Sequence, residues 1–166
     1  MVIMARARTS AGLLMFRRRK DQLEVLLAHP GGPYFKNKEY GVWTVPKGEM
    51  AEGEDPLARA KIEFHEELGV APEGDLIELG SAKQKGGKTV FAWAFAGDLP
   101  ENFKLVSNTF EMEWPPRSGK LTQFPEIDRA RFFNLEEARK RINIAQTVFL
   151  DRLHEQLNSN RQGQMQ

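Results

Sequence analysis

Glu63, Glu66 and Glu67 lie in a stretch, Trp43 to Val70 (WTVPKGEMAEGEDPLARAKIEFHEELGV), that reads as strand end, glycine loop and helix. Asp55 can cap that helix, Pro56 suits its first turn, and Gly69 stands where a left-handed C-terminal cap is needed. The helix is therefore predicted from about Pro56 to about Leu68. At roughly 100° per residue the three glutamates share about 100° of arc, while Leu57, Phe64 and Leu68 share another face. Carboxylates spaced i, i+3 and i+4 repel one another, and a hard divalent cation relieves that repulsion. Carboxylate, carbonyl and water oxygens are the ligands that Mg²⁺ or Mn²⁺ prefers, and Mg²⁺ commonly joins one or two carboxylates to phosphate groups. Taken alone, such a cluster reads first as a solvated acidic face.

The residues ahead of the helix shift that balance. Gly48, five residues, Glu54, seven residues and then Ile62-Glu63-Phe64-His65-Glu66-Glu67-Leu68-Gly69-Val70 resembles the signature box of the Nudix hydrolases. That pattern has Gly, Glu, Arg-Glu, an apolar residue, any residue, Glu-Glu, any residue, Gly and an apolar residue at these spacings. Only Ile62 departs from it, where the family has Arg. The resemblance implies an α/β fold, a Nudix-type α/β/α sandwich with a mixed sheet, and metal-dependent hydrolysis of a nucleoside diphosphate linked to another group. It further implies Mg²⁺ (or Mn²⁺) held by the Gly48 carbonyl, Glu63, Glu66 and Glu67, with one of these carboxylates as general base. Spacing does not say which, because base and ligand need the same position beside the bound water.

Two further features resemble the diadenosine tetraphosphate hydrolases within that family. The run Trp43-Thr44-Val45-Pro46-Lys47-Gly48 matches theirs, where the corresponding Lys contacts substrate phosphate. An ammonium at Lys47 would act there as a point charge on a polyphosphate. Glu126, ahead of the aromatic pair Phe132-Phe133, matches a glutamate outside the box that joins their metal site. A dinucleoside polyphosphate is therefore the first substrate expectation. A nucleoside triphosphate or nucleotide sugar is the second, since the box itself reads only the diphosphate. A third reading, a domain that binds nucleotide without hydrolysing it, draws support from Ile62, because the family Arg is thought to hold a box glutamate in place. Arg59, one turn before Glu63, is the residue able to compensate.

These groups need a scaffold, and 166 residues supply one domain with a core of its own. The reading is an N-terminal tail at 1–7, a single domain at 8–157 and a disordered polar tail at 158–166. With 24 basic and 23 acidic side chains, bulk charge offers no hold on nucleic acid or a membrane surface; the resemblance implies a small nucleotide as partner, and a monomer or homodimer is expected. The absence of cysteine excludes disulfides, thiolate metal sites and thiol catalysis. The apolar run 11–16 is too short for a signal-peptide core, and no stretch reaches membrane-spanning length, so a cytoplasmic protein is expected.

Runs 11–16 and 23–28 predict a hairpin about a polar turn at Lys20-Asp21-Gln22. His29-Pro30-Gly31-Gly32-Pro33 breaks the second strand, and the loop from Tyr34 to Tyr40 carries Tyr34, Lys36 and Lys38 as candidates for base and phosphate contacts. Strands are predicted over 76–83 and 89–95, joined by Gln84-Lys85-Gly86-Gly87-Lys88; the Gly86-Gly87-Lys88 triplet lacks the spacing of a P-loop, and Lys83, Lys85 and Lys88 read first as hairpin-tip charges, of which Lys85 is the one assigned to substrate. Residues 105–117 read as a long connection, in which Glu111 and Glu113 are either extra ligands or exposed strand residues. Asn134 and Glu137 form a capping-box pattern for a helix through about Ile142, and a last amphipathic helix is predicted from Ala145 to about Leu157.

Overall fold

The computed structural model describes residues 8–164, so the N-terminal tail at 1–7 and residues 165–166 lie outside the described residues. In chain order the elements are β1 (Thr9–Arg19), β2 (Gln22–Pro30), β3 (Lys47–Glu49), α1 (Pro56–Leu68), β4 (Ile77–Lys83) and β5 (Thr89–Ala96). There follow β6 (Thr109–Glu113), β7 (Leu121–Pro125), β8 (Ile127–Asn134), α2 (Leu135–Arg141), a 3₁₀ turn (Ile144–Gln146) and α3 (Thr147–Gln164). The main sheet runs β4-β5-β1-β2-β8, with β3 added to β1. Only β1 and β5 run parallel, which makes the sheet mixed.

The apolar run in β1 is unbroken because both faces of the sheet are covered. Leu14 and Phe16 point to a core shared with Phe149, Leu150 and Leu153 of α3, while Ala11, Leu13 and Met15 point to Ala60, Phe64 and Leu68 of α1. Helices thus lie on both faces, the α/β/α sandwich that the box implies. The β1–β2 hairpin turns at Lys20 and Asp21, whose φ values of 50° and 63° are those of a type I′ turn.

The site is placed by a splay in this sheet. β1 pairs with β2 only over Phe16–Arg19, and below that point the segment from Thr44 to Glu49 enters the gap between them. Thr44 bridges Ala28 of β2, Leu13 of β1 donates to the Pro46 carbonyl at 3.1 Å, and Lys47 pairs with Gly12. Trp43 is fully buried against Phe133 and His29 but has only an isolated bridge to Ile142, so regular strand begins at Lys47 rather than at Trp43. Buried Gln146 completes the wedge by accepting from the Val45 amide at 2.9 Å.

α1 forms as its caps predict: Asp55 accepts from the Ala58 amide at 3.0 Å, and Gly69 takes φ 69°. Two regions differ from the sequence reading. The connection 105–117 contains strand β6, which forms a hairpin with β7 beyond it through Phe110↔Phe124 and Met112↔Thr122, and Glu111 and Glu113 lie on its exposed face. The alternation Phe110, Met112, Trp114 was its signal. The polar segment 158–164 continues α3 instead of forming an irregular tail. Extending a helix whose first turns are fixed by Phe149, Leu150 and Leu153 needs no second nucleation, and Asn158 bonds His154 one turn back at 3.1 Å. No helix among the described residues is long and apolar enough to cross a membrane.

Gly12 is the tightest point of the wedge, since a Cβ there would lie 2.4 Å from the Pro46 carbonyl oxygen and 2.8 Å from the Lys47 Cβ. Gly12→Ala is expected to lower unfolding free energy by about 1–3 kcal/mol, as overpacking does. Urea denaturation checks it, and an unchanged midpoint would show that the wedge yields freely.

Candidate active site

The helix-borne carboxylates differ sharply in environment. Glu66 is exposed, Glu63 is half-buried, and Glu67 is only 6% exposed, on the turn that also carries buried Phe64 and Leu68. Glu63 rests directly on the glycine loop: a Cβ on Gly48 would fall 2.0 Å from the Glu63 Cδ. Glycine is needed here for close approach, not for a special φ.

Arg59 ties the loop to the helix. Its Nε and Nη2 donate to the Glu54 Oε2 at 2.8 and 2.6 Å, and its Nη1 to the Glu63 Oε1 at 3.2 Å. Glu54 in turn accepts from the Ala51 amide at 2.6 Å. Ile62, at 44% exposure, points away to solvent, so the arginine that reaches the box glutamates stands one helical turn earlier than the family pattern places it.

Glu67 is the group under greatest electrostatic stress. Burial, then the charges of Glu63, Glu126 and Glu66, push its carboxyl up to about 8, with Lys47 opposing. Its Oε2 is buried with no hydrogen-bond partner. Glu63 is also raised, first by burial and then by Glu66 and Glu126, against the hydrogen bond from Arg59. Lys47 is pulled down to about 8 by burial and by neighbouring Lys88, against Glu67 and Glu49. Glu126 follows β7, its amide donating to the Asn108 carbonyl at 2.8 Å and its carbonyl accepting from Gly31 at 2.9 Å. Its charge bears on both Glu63 and Glu67, although it lies between β7 and β8, far from α1 in sequence.

The donor set fits a hard cation. Buried carboxylate oxygens, one of them unpartnered, beside a glycine backbone are oxygen ligands of the kind Mg²⁺ takes. Among the described residues no three His, Asp or Glu side chains stand close enough to hold an ion as they are, as expected of like charges that repel without one.

The predicted substrate residues divide. Lys47 lies at this centre. Tyr34 and Lys36 are exposed on the loop after β2, with the Tyr34 ring edge-on to Trp114 at 5.4 Å. Lys85 is exposed in the β4–β5 turn, and Lys88 is the lysine beside Lys47, with its Nζ 4.0 Å from Glu49. Sequence reading also missed His29. Fully buried, it bridges Asp128 and the Lys38 carbonyl at 2.7 Å each and so fastens the Tyr34 loop to β8. Its neighbour Pro30 marked a strand break and hid that role.

A mixed sheet between helices, with a glycine loop feeding an acid-faced helix, defines an α/β domain built to bring carboxylates to phosphate. The chain belongs to the Nudix hydrolase family: the NUDIX domain matches residues 6–153. It is similar to a nucleoside triphosphate pyrophosphatase/Nudix hydrolase fusion protein of Bifidobacterium longum (strain NCC 2705), at 34% identity over 102 residues, 57% of this chain. The match spans 21% of that relative's length. Among solved structures it is similar to a C. elegans Ap4A hydrolase in a binary complex, with TM-score 0.65 and 22% identity over 92% of this chain and 98% of that one. The NUDIX domain of Shewanella oneidensis NrtR complexed with ADP ribose superposes with TM-score 0.62 and 13% identity, covering 93% of this chain and 90% of the other. At these identities the structural likeness is one of fold.

A pH profile follows from the two buried groups. Between 4.5 and about 8 the folded protein holds a proton on Glu67 that the unfolded chain has lost, so this group's contribution to stability falls as pH rises through that window. Between about 8 and 10.5 the unfolded chain holds the extra proton on Lys47, and that contribution rises with pH. In EDTA, Glu67→Gln is expected to flatten the acid-side fall in urea midpoints between pH 5 and 8. Parallel wild-type and variant profiles would refute the burial cost assigned to Glu67.

Proposed function

We propose that the domain is a metal-dependent pyrophosphohydrolase acting on a nucleoside diphosphate-linked substrate, with a dinucleoside polyphosphate as the favoured class. The observation that carries this reading is the buried, unpartnered Glu67 carboxylate set among Glu63, Glu126 and Lys47. Burying such a group is costly unless a ligand compensates it.

Mg²⁺ or Mn²⁺ would be held by Glu63, Glu66, Glu67, Glu126 and the Gly48 carbonyl, and when bound it supplies a lowered water pKa and neutralises phosphate charge. The chain does the rest. Lys47, with Lys88 beside it, draws the polyphosphate toward the glycine loop, and Lys85 and Lys36 add charge at the rim. One of the glutamates takes the proton of the attacking water as the phosphorus–oxygen bond to the leaving phosphate breaks. Arg59 holds Glu63 and Glu54 in register for that step. Tyr34 stands where a base can reach it.

Preference for the dinucleoside substrate rests on the Trp43–Gly48 run and on Glu126. The name of the Bifidobacterium relative favours nucleoside triphosphates as a second reading. Incubation with Mg²⁺ and a panel of dinucleoside polyphosphates, nucleoside triphosphates and nucleotide sugars, followed by product separation, decides between them. Binding without any product would support the non-hydrolytic reading instead.

Two variants test the machinery. Glu67→Gln is expected to cut Mg²⁺-dependent turnover by about 10²-fold or more while leaving the fold intact by circular dichroism. Retained turnover would sink the assignment. Arg59→Ala is expected to slow hydrolysis appreciably in the native background, weaken Mn²⁺ binding, and do much less of either after Ile62→Arg. Equal losses in both backgrounds would show that Arg59 does not stand in for the family arginine.

A further inference from the structure

The β6–β7 hairpin has no part in the metal site, yet it carries a half-buried aromatic face. Strand alternation puts Phe110 and Met112 of β6, and Trp114 just beyond its end, on the same side as Thr122 and Phe124 of β7. That face covers the loop after β2. Gly32, at φ +97°, lets the backbone pass within contact of the Phe110 ring, where a Cβ would come to 3.0 Å. Between hairpin and loop a cavity of about 440 Å³ remains, lined by Gly32, Pro33, Lys36, Trp114 and Phe124. Tyr34 stands at its mouth, edge-on to Trp114 at 80° yet 56% exposed.

The rings alone have a simpler account, a small satellite core pinning the loop. Such a core closes on itself, whereas this one leaves space in the roughly 300–1,000 Å³ range of small-molecule pockets, with an indole half-exposed on its wall and a lysine on its rim. The cleft also adjoins the segment of chain that carries Glu126. Phe124 is separated from Glu126 only by Pro125, and the Gly31 amide donates to the Glu126 carbonyl at 2.9 Å. A Cβ on Gly31 would strike the Pro125 carbonyl oxygen at 1.9 Å, so the loop and the strand end are held in backbone contact. A ligand in the cleft therefore lies one loop away from the carboxylate whose charge reaches Glu63 and Glu67.

We propose that the Trp114–Phe124 cleft is a base-stacking subsite, taking the nucleobase of the substrate against the hairpin with Lys36 toward its first phosphate. The proposal rests on the pyrophosphohydrolase reading for its substrate class and adds the residues that select a nucleotide over a bare polyphosphate. Every base offers a π-face, so the subsite discriminates for a nucleoside without choosing among bases by hydrogen bonds. Trp114 supplies a broad, rigid ring at little entropic cost, with Phe124 beside it on the same face of the hairpin.

The test is binding, read separately from turnover. ADP is titrated into wild-type protein in EDTA and into Glu67→Gln in Mg²⁺, with inorganic tripolyphosphate as the ligand lacking a base, and tryptophan fluorescence is followed. ADP is expected to quench and tripolyphosphate is not. The chain has three tryptophans, and Trp43 is fully buried. The quench should therefore vanish in Trp114→Phe and persist in Trp93→Phe. Phe124→Leu, which keeps the hairpin apolar, is expected to raise the ADP Kd and the nucleotide KM by about tenfold, the scale of one base stack, while kcat changes far less. Unchanged quenching in Trp114→Phe, an unchanged Kd in Phe124→Leu, or no quenching by ADP in the wild type overturns the subsite. Nucleotide hydrolysis with a KM indifferent to both variants would sink the subsite and leave the pyrophosphohydrolase reading standing. Stacking of ADP on Trp114 in a protein that hydrolyses nothing would do the reverse.

Discussion

A carboxylate buried without a partner is the constraint around which this molecule is arranged. Glu67 sits on the turn of α1 that also buries Phe64 and Leu68, so the apolar contacts that dock the helix on the sheet carry the carboxylate inward with them. Moving it outward would require rotating Phe64 away from Phe95, whose ring it meets edge-on at 5.1 Å. Packing energy therefore holds an ionisable carboxyl where its charged form is unfavourable, which is why it keeps its proton up to about pH 8. Strain of this kind is characteristic of sites that await a ligand.

That arrangement needs backbone brought closer than side chains normally allow. The wedge between β1 and β2 ends in Lys47 and Gly48, and two glycines set its depth, Gly12 beneath Pro46 and Gly48 beneath the Glu63 carboxyl. With Cβ atoms at either position the loop would stand off from the helix, and its carbonyls would no longer face the glutamates. Arg59 then fixes the distance from the other end. By binding Glu54 and Glu63 together it links the loop's exit to the helix face, a connection that does not depend on the residue at 62.

Local features were legible in the sequence because local forces decide them. Asp55 and Gly69 cap α1 where their side-chain chemistry and backbone freedom require, and the β1–β2 hairpin follows from two apolar runs around a polar turn. The hairpin β6–β7 was not legible: its strands are short, and its aromatic face has meaning only once the loop after β2 lies beneath it. Lys88 was obscured for a related reason. Gly86 and Gly87 both take positive φ, 88° and 84°, and the direction in which this turn delivers its lysines cannot be read from spacing. The convergence of Glu126 on Glu63 and Glu67 is likewise non-local, and only resemblance pointed to it.

The charges at the centre form two sets, each repelling itself. Glu66 and Glu126 raise the proton affinity of Glu63, all three raise that of Glu67, and Lys88 disfavours the charge on Lys47. Neither set can be relieved by the other alone, because Lys47 lies close enough to temper Glu67 and yet Glu67 remains pushed up to about 8. On the proposed function, a divalent cation would satisfy the first set and a polyphosphate the second. The two ligands also attract each other, so binding of either lowers the cost of binding the other, and linkage makes that coupling reciprocal. A nucleotide carrying its own metal ion would then present both charges at once, to lysines at the start of β3 and just before β5 and to glutamates on α1 and just before β8.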